Sequence, residues 1–347
     1  MKLTLTQPDL NQALRSVSRA VGTGRNSHPV LAHVLLTTGN GNLQVSAYDL
    51  DLGITTLVPA VVDVAGSITI PYRLLADIIG RLDSADVVTL ATDGVEVTVT
   101  TLSGSYKLLG GVAEDFPALP AVEVSEAVCV AFDPAVVVAA STDEAKQMLT
   151  GINVSITGGT ITQAATDGHR LSMRSYATES ADMAFTIPAR AIRRIEGNVL
   201  LAIDKQQAAM VTADGTTITS RLIDGTYPNV QQLIPATFTH ALTCERKQLL
   251  HALERVAVIG DIIKLTAAKQ SLAITAETDA GSGAESLAAT GTLPTCAFNA
   301  SYLIDGLKGL PGDAVTISAN GPTTPVVLTP SGIDGVTYLV MPIQIRA

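Results

Sequence analysis

The sequence predicts an α+β chain of three tandem, related domains, each with two helices and several strands. Three observations predict it. Short motifs recur at intervals of 112 to 118 residues. Aromatic residues make up only 3% of the chain, with no Trp, so Val, Ile, Leu and Ala must supply the core, a palette that favours sheets with short helices. Proline also stands at or near the start of several helical patterns, where its fixed φ suits the first turn.

The repeat organises everything else. Ser46-Ala47-Tyr48-Asp49 returns as Ala164-Ala165-Thr166-Asp167 and as Ala276-Glu277-Thr278-Asp279. Thr69-Ile70-Pro71-Tyr72-Arg73 returns as Thr186-Ile187-Pro188-Ala189-Arg190, and Phe298-Asn299-Ala300-Ser301-Tyr302 fills the same place without the proline. Glu114-Asp115-Phe116-Pro117 rhymes with Gly225-Thr226-Tyr227-Pro228. A period near 115 residues is too long for a solenoid and long enough for a small domain. Boundaries near 121 and 241 give domains 1–120, 121–241 and 242–347, with 117–126 and 290–296 read as linkers.

Taken in order, each third opens with a strand and a first helix, expected over Pro8–Val21, Asp133–Gln147 and Glu245–Val258. Asp133 is an N-cap candidate, and Pro8 and Pro134 sit in first turns. Alternating strands follow, in the first third over Val30–Thr38, Leu43–Tyr48 and Ile54–Val61. A second helix (Pro71–Leu82, Pro188–Glu196, Ala300–Leu307) and a last strand pair close each third.

Several function classes are excluded or weakened at this level. No apolar run reaches the roughly 18 residues of a transmembrane helix, and the Met1-Lys2-Leu3-Thr4-Leu5-Thr6 opening alternates like a strand rather than a signal peptide. Cys129, Cys244 and Cys296 have neither disulfide nor zinc spacing and read as buried thiols of a cytoplasmic protein. Asp167, His169 and Arg170 crowd into four residues and suggest acid–base chemistry, a hydrolase in the extreme case. However, the chain has no P-loop, no nucleophile elbow and no metal-spaced His pair. The other thirds keep the Asp but not the His or Arg, which makes the Asp a turn cap.

The net charge of -10 argues against a polyanion partner until its distribution is considered. Counted over 8–22, 71–82, 133–147, 188–197, 245–258 and 300–309, the six helical stretches carry 12 basic against 9 acidic residues, leaving a net -13 on the remainder. Basic helices without interleaved aromatics suit phosphate contacts rather than base stacking. A β-rich peptide-binding scaffold that never meets DNA is the alternative.

The chain resembles, over its whole length, the bacterial DNA polymerase III beta sliding clamp family. The resemblance rests on the triple repeat, Glu114-Asp115-Phe116-Pro117, Ala165-Thr166-Asp167-Gly168-His169-Arg170-Leu171, Asp224-Gly225-Thr226-Tyr227-Pro228 and the ending Tyr338-Leu339-Val340-Met341-Pro342. It implies a head-to-tail homodimer closing into a ring, with helices lining a hole that encircles double-stranded DNA, and no catalytic residue, metal or cofactor. It implies DNA contacts at Arg25 and Arg73, joined by the helix residues Arg15, Arg19, Lys146, Arg193 and Arg194; Gln147 and Met148 stand where relatives carry tyrosines. A dimer edge falls at Tyr106 and Leu108 against Val258 and Ile259. A pocket for short peptides of the clamp loader, the polymerase III alpha subunit, other polymerases and repair proteins maps to Leu149, Thr166, Gly168, His169, Arg170, Leu171, Pro228, Leu233, Leu339, Val340, Met341, Pro342 and Ile343. Gln232 and Pro325 depart from the family pattern there.

Overall fold

The computed structural model describes residues 1–22, 28–121, 127–195 and 197–344. Its strand pairs are antiparallel, as an alternating pattern with short connections favours. The chain divides into two compact units, Met1–Ala131 with Asn198–Leu222, and Phe132–Gly197 with Ile223–Ala347. This division passes through the middle third of the sequence because its strands are shared between two sheets.

In the first unit, a five-stranded sheet runs in the order Val61–Val64, Lys2–Thr6, Val87–Asp93, Glu96–Thr100, Ser105–Leu109. An eight-stranded sheet joins strands from two repeats: Thr217–Arg221 lies against Leu52–Pro59, with Thr217 opposite Thr55. Helix α1 (Gln7–Val17) begins where the Thr6 hydroxyl accepts the Asp9 N–H. It buries Leu10, Ala13, Leu14 and Val17, the helical period of an amphipathic face, and packs beside α2 (Tyr72–Ile79).

In the second unit, a twelve-stranded sheet joins the middle and last repeats where Arg170–Ala177 pairs with Val336–Val340. Four helices cover it: α3 (Pro134–Val137), α4 (Ala189–Ile192), α5 (Arg246–Val256) and α6 (Ala300–Gly309). Helix α3 touches both α4 and α6, and α6 touches α5. Glu245 caps α5 by accepting the Lys247 and Gln248 N–H groups, and Asn299 caps α6 through the Ser301 N–H.

The middle repeat departs from its expected helices. The helix expected over 133–147 is α3 alone, followed after a break by a 3₁₀ segment, Glu144–Thr150. Val136, Val137 and Val138 are β-branched, and the Ser141 and Asp143 side chains accept the N–H groups of Asp143 and Ala145, drawing the backbone out of an α-helical ladder. The second middle helix shrinks likewise to α4, and the chain reverses at Gly197 with φ +77°. The expected linker at 290–296 starts inside the strand Gly281–Gly291. Cys244 and Cys296 are buried, burial pushing the Cys244 thiol up to about 12, but Cys129 is exposed, contrary to its reading as a buried thiol.

Candidate functional site

The Asp167 turn is built by its own side chain. One Asp167 oxygen accepts the N–H groups of His169 (2.8 Å) and Arg170 (3.0 Å), while Gly168 takes φ +94°. The first unit repeats the construction: Asp49 accepts from Asp51 (3.1 Å) and Leu52 (2.8 Å), with Leu50 at φ +81°. The last third shares another bond of the middle turn: the Ala280 N–H goes to the Thr278 hydroxyl as the Gly168 N–H goes to that of Thr166. The aspartate is a turn scaffold in two repeats.

Beyond the turn, strand alternation sorts the expected pocket residues onto two faces. Leu171 stands opposite Leu339, and these join Ala164, Val230 and Val327 in one apolar cluster, with Met173, Tyr227 and Ile234 packed against it. Arg170 stands opposite Val340, and both belong to the other face. Val340 lies in the core of the last repeat with Tyr338. The floor of the expected pocket therefore comes down to Leu171 and Leu339, without the side chains of Arg170 and Val340.

Around the floor, Tyr227 fixes the entry of the chain: its hydroxyl accepts the Thr166 N–H at 3.1 Å, and burial pushes its pKa up to about 12. The Thr166 hydroxyl donates to the Arg170 carbonyl. Leu233 (50% exposed) and Met341 (37%) leave apolar surface open to solvent, with exposed Pro228 nearby in sequence and half-buried Leu149 on the 3₁₀ segment. Met148 packs over Gly225 rather than standing free, whereas Gln147 is exposed. The tail is tied down by the Met341 N–H to the His169 carbonyl (2.8 Å). Past half-buried Pro342, Ile343 bridges Ala297 and lines a separate cleft of about 710 Å³ with Ile262, Lys264 and Glu277.

Arg170 is committed to the fold. Its Nε donates to Asp167 (3.0 Å), its Nη1 to Asp305 of α6 (2.7 Å), and its guanidinium lies 4.5 Å over the Tyr302 ring. Burial works against its charge, but the hydrogen bonds to Asp305, Tyr338 and Asp167 overcome that and raise its pKa. Exposed His169 stacks on the other ring contact of Tyr302, centroids 6.2 Å apart. Two steps along the same strand face, Arg174 donates to Asp133 (2.7 Å) and to the Gly309 carbonyl at the end of α6 (2.8 Å). Sequence reasoning missed Tyr227, Val230, Met173, Val327, Ile234, Tyr302 and Asp305. Tyr227, Val230 and Tyr302 lie in or beside a recurring motif; the rest carry no local signal.

The first unit shows why its own version of this site is closed. Gly53 replaces Leu171 in the repeat, and a Cβ there would fall 2.6 Å from Thr219 Oγ1, 3.1 Å from Leu119 and 3.3 Å from Tyr48. The chain's own side chains occupy the space.

The basic candidates are placed as follows. Arg15 and Arg73 are exposed on α1 and α2, and Arg19 is half-buried. Arg193 and Arg194 are exposed just past α4 rather than on it. Exposed Lys146 reaches the Asp167 carbonyl at 3.5 Å. Arg25 lies outside the described residues. Of the dimer-edge candidates, Tyr106 (39% exposed) and Leu108 (5%) lie on the outermost strand of the five-stranded sheet. Val258 is 83% exposed after α5, and Ile259 packs close to Gly283. Among the described residues no helix is long and apolar enough to cross a membrane, and no group of three or more His, Cys, Asp or Glu could hold a metal.

Three related α+β repeats built on antiparallel sheets, with an apolar cluster beside a self-capped turn, define a clamp-type scaffold. Residues 1–120, 127–229 and 231–344 match the N-terminal, central and C-terminal domain models of the DNA polymerase III beta subunit. The beta sliding clamp of Synechococcus elongatus is 40% identical over the full length of both chains, and that of Synechocystis 38% identical over 99% of this chain and all of its own. A Bartonella birtlesii sliding clamp, solved bound to griselimycin, superposes with a TM-score of 0.87 at 26% identity, covering 99% of this chain and all of that one. The chain belongs to the DNA polymerase III beta subunit family. Its function is that of a beta sliding clamp, a non-catalytic subunit that confers processivity on the polymerase.

Proposed function

We propose that two copies of this chain, each of three domains (1–120, 121–241 and 242–347), close head to tail into a ring around duplex DNA in the cytoplasm. The clamp loader, the polymerase III alpha subunit and other polymerases and repair proteins dock short peptides on the pocket floored by Leu171 and Leu339. The observation that carries the ring is a pair of unfinished sheet edges. Among the described residues, the strand Ser105–Leu109 has a neighbour on one side only, and over 281–288 the strand Gly281–Gly291 pairs only with Ser271–Thr278. Exposed edges are liabilities that closure removes. Arg15, Arg19, Arg73, Lys146, Arg193 and Arg194, with Arg25, supply phosphate contacts that hold the ring on DNA without reading its sequence.

The loaded protein is expected to remain on nicked circular DNA through gel filtration and to leave once the circle is linearised. Equal retention on both forms would exclude topological binding. For the edge, Val258 is the better probe than Ile259, because it is exposed and its replacement leaves the chain's own core intact. Val258→Asp is expected to give a monomer in light scattering, and an unchanged dimer would reject this edge.

A further inference from the structure

We infer that the cleft beside the turn of the last repeat is a second docking surface, taking a partner-protein segment in which an apolar side chain stands next to arginine or lysine. The repeat itself points there. Asp49 and Asp167 commit their carboxylates to the backbone of their own turns. The equivalent Asp279 does not, because its hairpin is tighter: Thr278 pairs with Gly281, whereas Thr166 pairs with Leu171. Among the described residues no group of the chain bonds to the Asp279 carboxylate. It lines the cleft of about 710 Å³ instead, together with Glu277, Ile262, Lys264 and Ile343. That volume is in the range that holds a small ligand or a few side chains.

Strand register sets the layout of this cleft. Lys264 stands between Thr275 and Ala297, and Ile343 of the tail bridges Ala297. Ile262, two residues away on the same face, stands opposite Asn299, and the continuing register brings it beside Glu277. Ile262 is 54% exposed, and half-buried Ile343 adds apolar surface at the tail side. Glu277 and Asp279, both exposed, put two negative charges at the turn end, and Lys264 puts one positive charge farther along. Among the described residues none of these three is ion-paired, whereas Arg170 pairs with both Asp167 and Asp305. The complement is an apolar side chain on Ile262 and Ile343 whose neighbouring cation reaches Glu277 and Asp279. The free edge over 281–288 lies on the far side of Gly281–Gly291, so pairing at that edge leaves this face open.

The test uses the full-length protein and two labelled peptides, one with a leucine beside two arginines and one with the arginines replaced by glutamine. Fluorescence anisotropy at low salt is expected to show the arginine peptide binding about tenfold more tightly, as two exposed ion pairs together supply. In Glu277→Gln/Asp279→Asn that advantage is expected to fall below about twofold, and Ile262→Asn is expected to weaken both peptides. The control Asp204→Asn/Asp334→Asn removes the same charge from exposed positions elsewhere and is expected to keep the advantage. Leu233→Ser, at the Leu171–Leu339 pocket, is expected to leave both affinities unchanged. An equal loss in the control pair would reduce the effect to general attraction by an acidic chain, and a loss in Leu233→Ser would place the peptide in the other pocket. Either result, or no binding of the arginine peptide to the parent, overturns the second surface and leaves the Leu171–Leu339 reading standing.

Discussion

Gly306→Val is expected to lower the melting midpoint of the chain by about 5 °C or more, from an overpacking cost of about 3 kcal/mol. Gly306 lies in α6 directly above Tyr338, and a Cβ there would overlap the tyrosine ring, with Cζ only 2.8 Å away. The ring cannot retreat. Tyr338 is 1% exposed, sits in a strand paired on both sides, and donates its hydroxyl to the Tyr302 carbonyl at 2.8 Å. The helix would have to lift, and with it Tyr302 and Asp305, which hold His169 and Arg170. Gly306→Ala, with two fewer methyl groups to place, is expected to cost less. Differential scanning calorimetry on both variants checks this, and midpoints equal to the parent's would show that α6 is not seated on Tyr338.

The second large effect concerns partner binding. A Leu233→Asp/Met341→Asp variant is expected to bind an apolar polymerase-tail peptide at least about a hundredfold more weakly, since truncating or charging a central anchor commonly costs more than 2 kcal/mol per site. Both side chains are open to solvent, 50% and 37% exposed, so the chain's own stability is expected to change little. That separates this variant from one at Leu171 or Leu339, which are buried in the apolar cluster and would damage the fold as well. Titration by anisotropy, with a melting curve as control, reads both quantities. Undiminished affinity in a folded variant would move the docking site away from this pocket.

The sequence by itself determined a great deal here, because what it encodes repeats. Three occurrences of one strand–helix pattern specify the α+β domains, and the spared aspartate of Asp49 and Asp167 specifies a turn that the backbone then builds the same way in two units. Such features depend on bonds between residues two or three apart, so their signal is local. Helix length in the middle repeat was less legible, because β-branched and hydroxyl side chains compete with the helix on a scale of tenths of a kcal/mol. The sidedness of the pocket was decided by tertiary structure. Arg170 and Leu171 are neighbours in the chain, yet one ends in ion pairs with Asp167 and with Asp305 of α6 and the other in the apolar cluster. Tyr302, Asp305 and Val327 reach the site from more than 130 residues away, brought there because the strand Val336–Val340 pairs with Arg170–Ala177. A strand's two faces part company at every residue, and which face is filled depends on what packs against it from elsewhere in the chain.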